Sequence, residues 1–339
     1  MGNASNLLYS TCNAHSANLL AGDIVSKPVN SKIMRKVTTV QKDFRRTGLT
    51  DLLLKAGGHK PALPCATRWT SQRSAGESFL KNLSTMKTVT TACEVEAESD
   101  KDTIRPKPIV SSRLFNQKFV ASVKSLVDIL DPVAKLTNYC QKSTSSVADA
   151  AEKWLELLQD GPVALRPFVE SRMKQSNILN DVTLTANFFH PIYRGKRLNE
   201  DQHRQVTSYV FDKLKGPALE SLHGFTKGKG AFASLAQKKI VSPKAFWHFA
   251  DQLGHGELAT FALDYLKIPA STAQLERLFS NWAYVHNDIR NRLSTETSKK
   301  LVNTNFTLRT TDEIIEDDDE DFEMEGEQFG TDDESDQDE

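Results

Sequence analysis

Apolar residues recur along most of this chain with the 3.6-residue period of an α-helix, and polar residues fill the positions between them. The clearest run predicts a helix with one apolar face, formed by Phe119, Val123, Leu126, Val127, Leu130 and Ala134. Pro132 lies inside this run and predicts a kink or an end, because proline removes a backbone hydrogen bond. Alternation with period two is rare, and one short buried strand is predicted over residues 6–12. The pattern therefore predicts a mainly α-helical chain.

Four further segments predict helices, at residues 14–25, 145–160, 200–214 and 242–268. The helix at 145–160 should end at Asp160-Gly161-Pro162, and the last segment should form two helices around Gly254 and Gly256. The charged segment 92–108 is predicted to be an exposed loop, and the Gly/Lys-rich segment 225–239 to be mobile.

The stretch Pro269–Ser280 predicts a helix with a defined start and one apolar stripe. Ser271 and Gln274 form an S-x-x-Q capping box. The stripe follows at positions i, i+3, i+4 and i+7 and consists of Leu275, Leu278, Phe279 and Trp282. Glu276 lies beside the stripe, either as a solvated flank or as a metal-binding carboxylate.

Charge divides the chain into a basic body and an acidic tail. Residues 312–339 hold 17 Asp and Glu and no Lys or Arg, so the remainder has 43 basic and 27 acidic residues, a net charge of +16. A tail of this composition is typical of disorder. A basic body favours nucleic acid, because contact with phosphates releases counterions. DNA is therefore an expected partner, with solubility as the alternative explanation of the charges. No apolar run reaches the length of a membrane span, so no membrane partner is expected.

The cysteines fit a reducing compartment. They are few and widely spaced, at positions 12, 65, 93 and 140. Cys12 and His15 have the spacing of half a zinc site, but no second pair nearby completes it, so no metal site is predicted there. Residues 1–20 lack the basic start and long apolar run of a signal peptide, which points to the cytosol or nucleus.

Four short motifs follow one another near the end of the basic body. They are Pro269-Ala270-Ser271, Glu276-Arg277, Phe279-Ser280 and Asn291-Arg292-Leu293-Ser294 with Glu296-Thr297. Together they resemble the C-terminal dimerisation region of the hAT transposase superfamily. Three upstream segments are similar to the family's C-x-x-H-x-x-N-L, T-R-W-N-S and L-x-P-x-Y-x-G passages: residues 12–19, 67–71 and 188–198. Leu275 departs from the family pattern, which has serine before the glutamate.

The resemblance implies the C-terminal part of an RNase H-like α/β core with a large helical insertion and a disordered acidic tail. The implied regions are a remnant of the core at 1–50, a linker with the T-R-W segment and a charged loop at 51–112, the helical insertion at 113–240, the dimerisation region at 241–311 and the tail at 312–339. The implied partner is a second copy or a related transposase chain, bound through the apolar stripe and Leu293.

The family cleaves and joins DNA with two divalent metals held by three carboxylates. Glu276 corresponds to the third carboxylate. The family's two aspartates lie upstream of the C-x-x-H segment, and here no acidic residue precedes Asp23. We therefore expect no cofactor, with Mg²⁺ or Mn²⁺ relevant only to a complete site. Trp69, preceded by Arg68, matches a tryptophan that stacks on a flipped DNA base, and packing in the core is an equal alternative for this side chain.

These observations predict a hAT transposase-derived nuclear protein that retains dimerisation and DNA binding and is catalytically inactive. One alternative is a fragment of an active DDE-type transposase that cleaves and transfers DNA strands with two metals. Another is a helical protein-interaction module without a nucleic-acid role. This last alternative predicts basic residues spread evenly over the body, not gathered on one face.

Overall fold

A computed structural model describes residues 8–65, 69–99, 104–238 and 242–285, together with seven residues between 296 and 304. The chain divides into two compact units, residues 1–274 and 275–339. The first helices of the first unit are α1 (Asn13–Val25), α2 (Pro28–Phe44), α3 (Thr47–Lys55), α4 (Ser71–Ser99), α5 (Pro108–Leu114), α6 (Gln117–Gln141), α7 (Val147–Gln159) and α8 (Arg166–Gln175). They are followed by α9 (Asp181–Phe189), α10 (Glu200–Lys213), α11 (Pro217–Lys227), α12 (Ala231–Gln237), α13 (Pro243–Ala250), α14 (Gly256–Leu266) and α15 (Ala273–Val285).

The fold is mainly helical, as the apolar period predicted. Within the described part of the chain, β-pairing is limited to one isolated bridge between Ser146 and Pro269. An RNase H-like core is therefore not confirmed. The strand predicted over residues 6–12 is wrong for its described part, because residues 8–11 have no regular structure and Cys12 caps α1. None of the described helices is long and apolar enough to cross a membrane.

Two other local predictions were wrong, an end at Pro132 and a loop over residues 92–99, because tertiary packing continues helices through segments of low helix propensity. Helix α6 continues through Pro132, since Leu130 and Val133 on either side are buried in the core. Helix α4 reaches Ser99, into the segment predicted as a loop, and buries Cys93. The Gly/Lys-rich segment forms the end of α11 and all of α12, with Phe232 buried. The mobility predicted for residues 225–239 stays a prediction. The domain limits stay predictions, and the tail at 312–339 lies outside the described residues.

Helix α7 contributes side chains to two apolar cores. Ala150, Trp154 and Leu157 face a core formed mainly by α1–α6 and α8. Val147, Ala148 and Leu155 belong to a second core, formed with α9–α14. The N-terminus of α7 has a complete capping box between Ser146 and Asp149, which fixes where the helix starts.

The segment that connects α14 to α15 is held by backbone hydrogen bonds to two other parts of the first unit. Val147 N–H donates to the Ile268 carbonyl at 2.9 Å, and Ala270 N–H donates to the Ser145 carbonyl at 2.9 Å. The Ala270 carbonyl in turn accepts from the Asn13 backbone N–H at 3.0 Å and from the Asn13 side-chain amide at 3.1 Å. The chain is thereby fixed at the point just before α15.

Candidate dimerisation helix and nucleic-acid surface

Helix α15 begins close to the position that the sequence predicted. The Ser271 hydroxyl accepts a hydrogen bond from the Ala273 N–H at 3.3 Å, which satisfies one of the open donors of a helix N-terminus. Pro269 and Ala270 precede it in the fixed segment described above. The predicted helix is therefore confirmed, with its start at Ala273.

The apolar stripe of α15 is largely open to solvent. Leu275 is 55% exposed and Phe279, one turn later, is 68% exposed. Leu278 and Trp282 are half-buried. Contiguous apolar surface of this kind on a soluble protein marks an interaction site. Leu293, which the resemblance added to the stripe, lies outside the described residues.

Trp69 packs on the first core with part of its ring still accessible. It is half-buried, and its indole lies so close to α1 that a Cβ added to Gly22 would meet ring atoms at 3.1 Å. The next residue, Thr70, donates its backbone N–H to the Asn18 side-chain oxygen at 3.3 Å. Packing on Gly22 fixes the ring, and base stacking by its accessible part stays a prediction. Arg68 lies outside the described residues.

Basic side chains gather where α2 meets the segment that leads into α5. Arg46 donates to the Arg105 carbonyl at 2.7 Å, and Arg113 donates to the Lys36 carbonyl at 3.5 Å. Asp43 accepts from the Lys107 backbone N–H at 2.9 Å. These contacts, over separations of about sixty to eighty residues in sequence, bring two basic segments into one surface.

Little negative charge is present in those two segments. Residues 24–50 and 104–127 contain twelve Lys and Arg and a single acidic residue, Asp43. The Asp43 side chain is buried and pairs with Arg46 at 3.0 Å.

One known family model matches the part of the chain that contains α15. Residues 232–308 match the model of the hAT family C-terminal dimerisation region. This match, which covers less than a quarter of the chain, supports a relation to the hAT transposases. A search of curated proteins found no match. The matched hAT region starts with α12 and contains α13, α14 and α15, so it begins before the limit of 241 predicted from the motifs.

The described part of the chain does not fit a two-metal centre. Glu276 is exposed on α15. No group of three or more His, Cys, Asp or Glu among the described residues is arranged to hold a metal ion.

The passage of the chain that is similar to the hAT L-x-P-x-Y-x-G motif forms a buried polar joint. The Tyr193 hydroxyl donates to Asp149 Oδ1 at 2.8 Å, which ties the turn after α9 to the N-terminus of α7. Burial and the Asp149 carboxylate together raise the pKa of Tyr193 well above its usual range. The ring of His190 stacks on that of Tyr193 with centroids 3.9 Å apart. These contacts fix the turn after α9 against the N-terminus of α7 beside the second core.

Sequence reasoning identified the stripe but missed the basic surface as a site. The signal was present, since both segments are rich in Lys and Arg and poor in acids. The sequence does not show that these two basic segments lie side by side in the fold. Pro28 occupies the first turn of α2, where its fixed φ favours the helix.

Proposed function

We propose that the protein is a hAT transposase-derived dimer that binds DNA and does not by itself cleave it. The observation that carries the dimer is the open stripe of α15 inside the matched dimerisation region. A partner copy or a related transposase chain would cover Leu275 and Phe279. DNA as the partner would place the protein in the nucleus.

The stripe can supply a useful part of a dimer's free energy. Fully burying a Leu or Phe side chain contributes about 1.5–3 kcal/mol, and these two are more than half exposed. A two-fold interface uses each residue twice. The four side chains would then contribute roughly 4–7 kcal/mol. Association itself costs about 4–15 kcal/mol, so the half-buried Leu278 and Trp282 must contribute as well.

Sedimentation velocity of matched variants tests the stripe. Phe279→Asp places a charge in the seam and should make the protein monomeric at concentrations where the wild type is dimeric. Phe211→Asp is the control, because Phe211 on α10 is 61% exposed and lies outside the stripe. A wild type that stays monomeric at tens of micromolar, roughly −6 to −7 kcal/mol of affinity, contradicts dimerisation. A Phe279→Asp protein as dimeric as the control contradicts the choice of seam.

DNA binding is supported by the net charge of +16 outside the tail and by the gathering of basic side chains on α2 and α5. The acidic residues 312–339 should compete with phosphate for the same cations. Deleting them should tighten binding and steepen its dependence on salt. A tail of the same length with Asp and Glu replaced by Asn and Gln should act like the deletion. If both variants bind as the wild type does across a salt titration, the tail does not compete.

The absence of strand cleavage is proposed for this chain alone. It is supported by the poor fit of the described residues to a metal centre and by the exposure of Glu276. The purified protein should neither nick nor join DNA in Mg²⁺ or Mn²⁺. Metal-dependent strand transfer that Glu276→Gln abolishes would overturn this proposal and favour the active DDE-type transposase.

A further inference from the structure

Residues 32–46, the larger part of α2 and the two residues after it, expose charge without apolar side chains, whereas Val29 in the first turn of α2 is 71% exposed. Every exposed residue from 32 to 46 is Lys, Arg or Thr39. The basic members are Lys32, Arg35, Lys42, Arg45 and Arg46. At 3.6 residues per turn, the first three fall within an arc of about 80°, and they span about 15 Å along the helix axis.

These cations are available for an external anion. Among the described residues, none of the side chains of Lys32, Arg35 and Lys42 has a carboxylate partner. Some exposed Lys side chains elsewhere are neutralised by a carboxylate. Lys135 pairs with Asp131 at 2.8 Å, and Lys267 pairs with Asp264 at 2.6 Å. The α2 surface is therefore a local excess of positive charge that the fold itself does not balance.

The neighbouring segment extends this surface. Arg105 and Lys107 are exposed beside the C-terminal end of α2, where the Arg46 and Asp43 contacts hold the two segments together. Lys36 lies over the ring of Phe119 at 5.7 Å, next to the exposed Lys118 at the start of α6. The acids on packed helices are few. Those exposed on α3, α4 and α6 are Asp51, Glu94, Glu96 and Asp128.

The composition of the surface selects the class of partner. A protein interface needs buried aromatic or aliphatic anchors, and the exposed positions from 32 to 46 hold none; the exposed apolar side chains Val29, Ile109 and Phe115 lie outside these positions. Single-stranded nucleic acid is bound by stacking its bases on aromatic rings, and the same positions hold no aromatic residue. Cations spaced along one helix side instead match the regular phosphates of a duplex, which repeat about every 3.4 Å of axis on each strand.

We propose that the surface formed by α2 and residues 105–107 binds the phosphate backbone of duplex DNA without reading its sequence. The assignment rests on the DNA binding proposed above and adds its location. Phosphate contacts of this kind position the protein and carry no base specificity.

Two triple variants of the full-length chain test the location. The first replaces Lys32, Arg35 and Lys42 with Ala, and the control replaces the ion-paired Lys81, Lys135 and Lys267 with Ala. Both remove three positive charges from exposed positions. Binding to a random-sequence 20-base-pair duplex is measured by fluorescence anisotropy across a salt series.

The α2 triple should lower the slope of log affinity against log salt by about 2.7 and weaken binding on the order of 100-fold at 0.15 M salt. The control should change the slope by less than about one, since its lysines are already neutralised. The double variant Lys32→Arg/Lys42→Arg conserves the charge and should bind as the wild type does. Circular dichroism checks that each variant is folded.

The possible outcomes distinguish an error in the location of the DNA-binding surface from an error in the proposed DNA binding itself. A wild type without measurable affinity for the duplex overturns the proposed DNA binding itself. A wild type that binds, with equal losses in the two triples, leaves DNA binding standing and overturns the α2 surface. Tighter binding to duplex RNA of the same length, lost in the α2 triple, overturns DNA as the ligand of this surface.

Discussion

Acid should destabilise this protein through the buried ring of His190, at the C-terminal end of α9. The residue is 5% exposed. The backbone N–H groups of Ile192 and Tyr193 lie 3.4 and 3.5 Å from Nδ1, so that in the neutral ring Nε2 carries the proton. Burial lowers the pKa of His190 to about 4, and the Asp149 carboxylate, 3.9 Å from Nε2, offsets this only in part.

The direction of this pH effect follows from the pKa of His190 in the unfolded and in the folded chain. The unfolded chain takes up a proton at His190 with a pKa near 6.5, whereas the folded chain resists protonation until about pH 4. Between these values the unfolded state binds more protons, so the free energy of unfolding falls as the pH falls. At about 1.4 kcal/mol per pKa unit, the loss is about 2 kcal/mol at pH 5 and approaches about 3 kcal/mol below pH 4.

Urea unfolding at pH 7.5 and pH 5.0 measures this loss. In His190→Asn the side-chain oxygen can still accept from the backbone two residues on, and the residue does not titrate. The variant should be less stable than the wild type at pH 7.5, because it loses the stacked ring, but it should lose about 2 kcal/mol less on acidification. His223→Asn, at an exposed position on α11, is the control. If the wild type and His190→Asn lose equal free energy between the two pH values, the reasoning is refuted.

Two further predictions concern buried side chains. Trp247 is fully buried in the second core and donates from Nε1 to the Phe189 carbonyl at 3.0 Å. In urea denaturation, Trp247→Phe should therefore lower the free energy of unfolding by about 2–3 kcal/mol, and a loss below about 0.5 kcal/mol would contradict this packing. Burial raises the pKa of the Cys140 thiol to about 12, whereas Cys65 is exposed. Iodoacetamide should therefore label Cys65 in the native protein and Cys140 only after denaturation, which mass spectrometry of the peptides measures.

The sequence predicted helices best where an apolar period coincides with a strong end signal. Helix α7 combines both, because the Ser146 capping box starts it and Asp160-Gly161-Pro162 follows its last residue. Helix α4 lacked such a signal. Its inward positions include the polar residues Asn82 and Thr90, so only packing against the first core reveals its full length.

Tertiary context also overrides local propensity at α9. Val182, Thr183 and Thr185 favour a strand by their branched side chains, yet they lie in a helix that is almost wholly buried. The Asn180 side chain accepts from the Val182 and Thr183 N–H groups and starts this helix.

The stripe of α15 could be predicted because all its members lie within eight consecutive residues. The basic surface could not, since Arg46 and Arg105 are 59 residues apart and meet only through the packing of α2 against α5. Local periodicity predicts which side of a helix is polar. It does not predict which two polar sides become neighbours.

The two proposed surfaces make a joint prediction about DNA length. A dimer formed through α15 carries two copies of the α2 surface, and a second contact on the same duplex becomes intramolecular, which raises affinity without any new type of contact. On a duplex of about 40 base pairs the wild type should therefore bind more tightly, and with a steeper salt dependence, than on one of about 12 base pairs. Phe279→Asp should lose this advantage on the long duplex and bind the short one as the wild type does. Phe211→Asp should keep the advantage. If Phe279→Asp is monomeric by sedimentation and yet binds the long duplex as tightly as the wild type, the dimer does not use two α2 surfaces on one DNA.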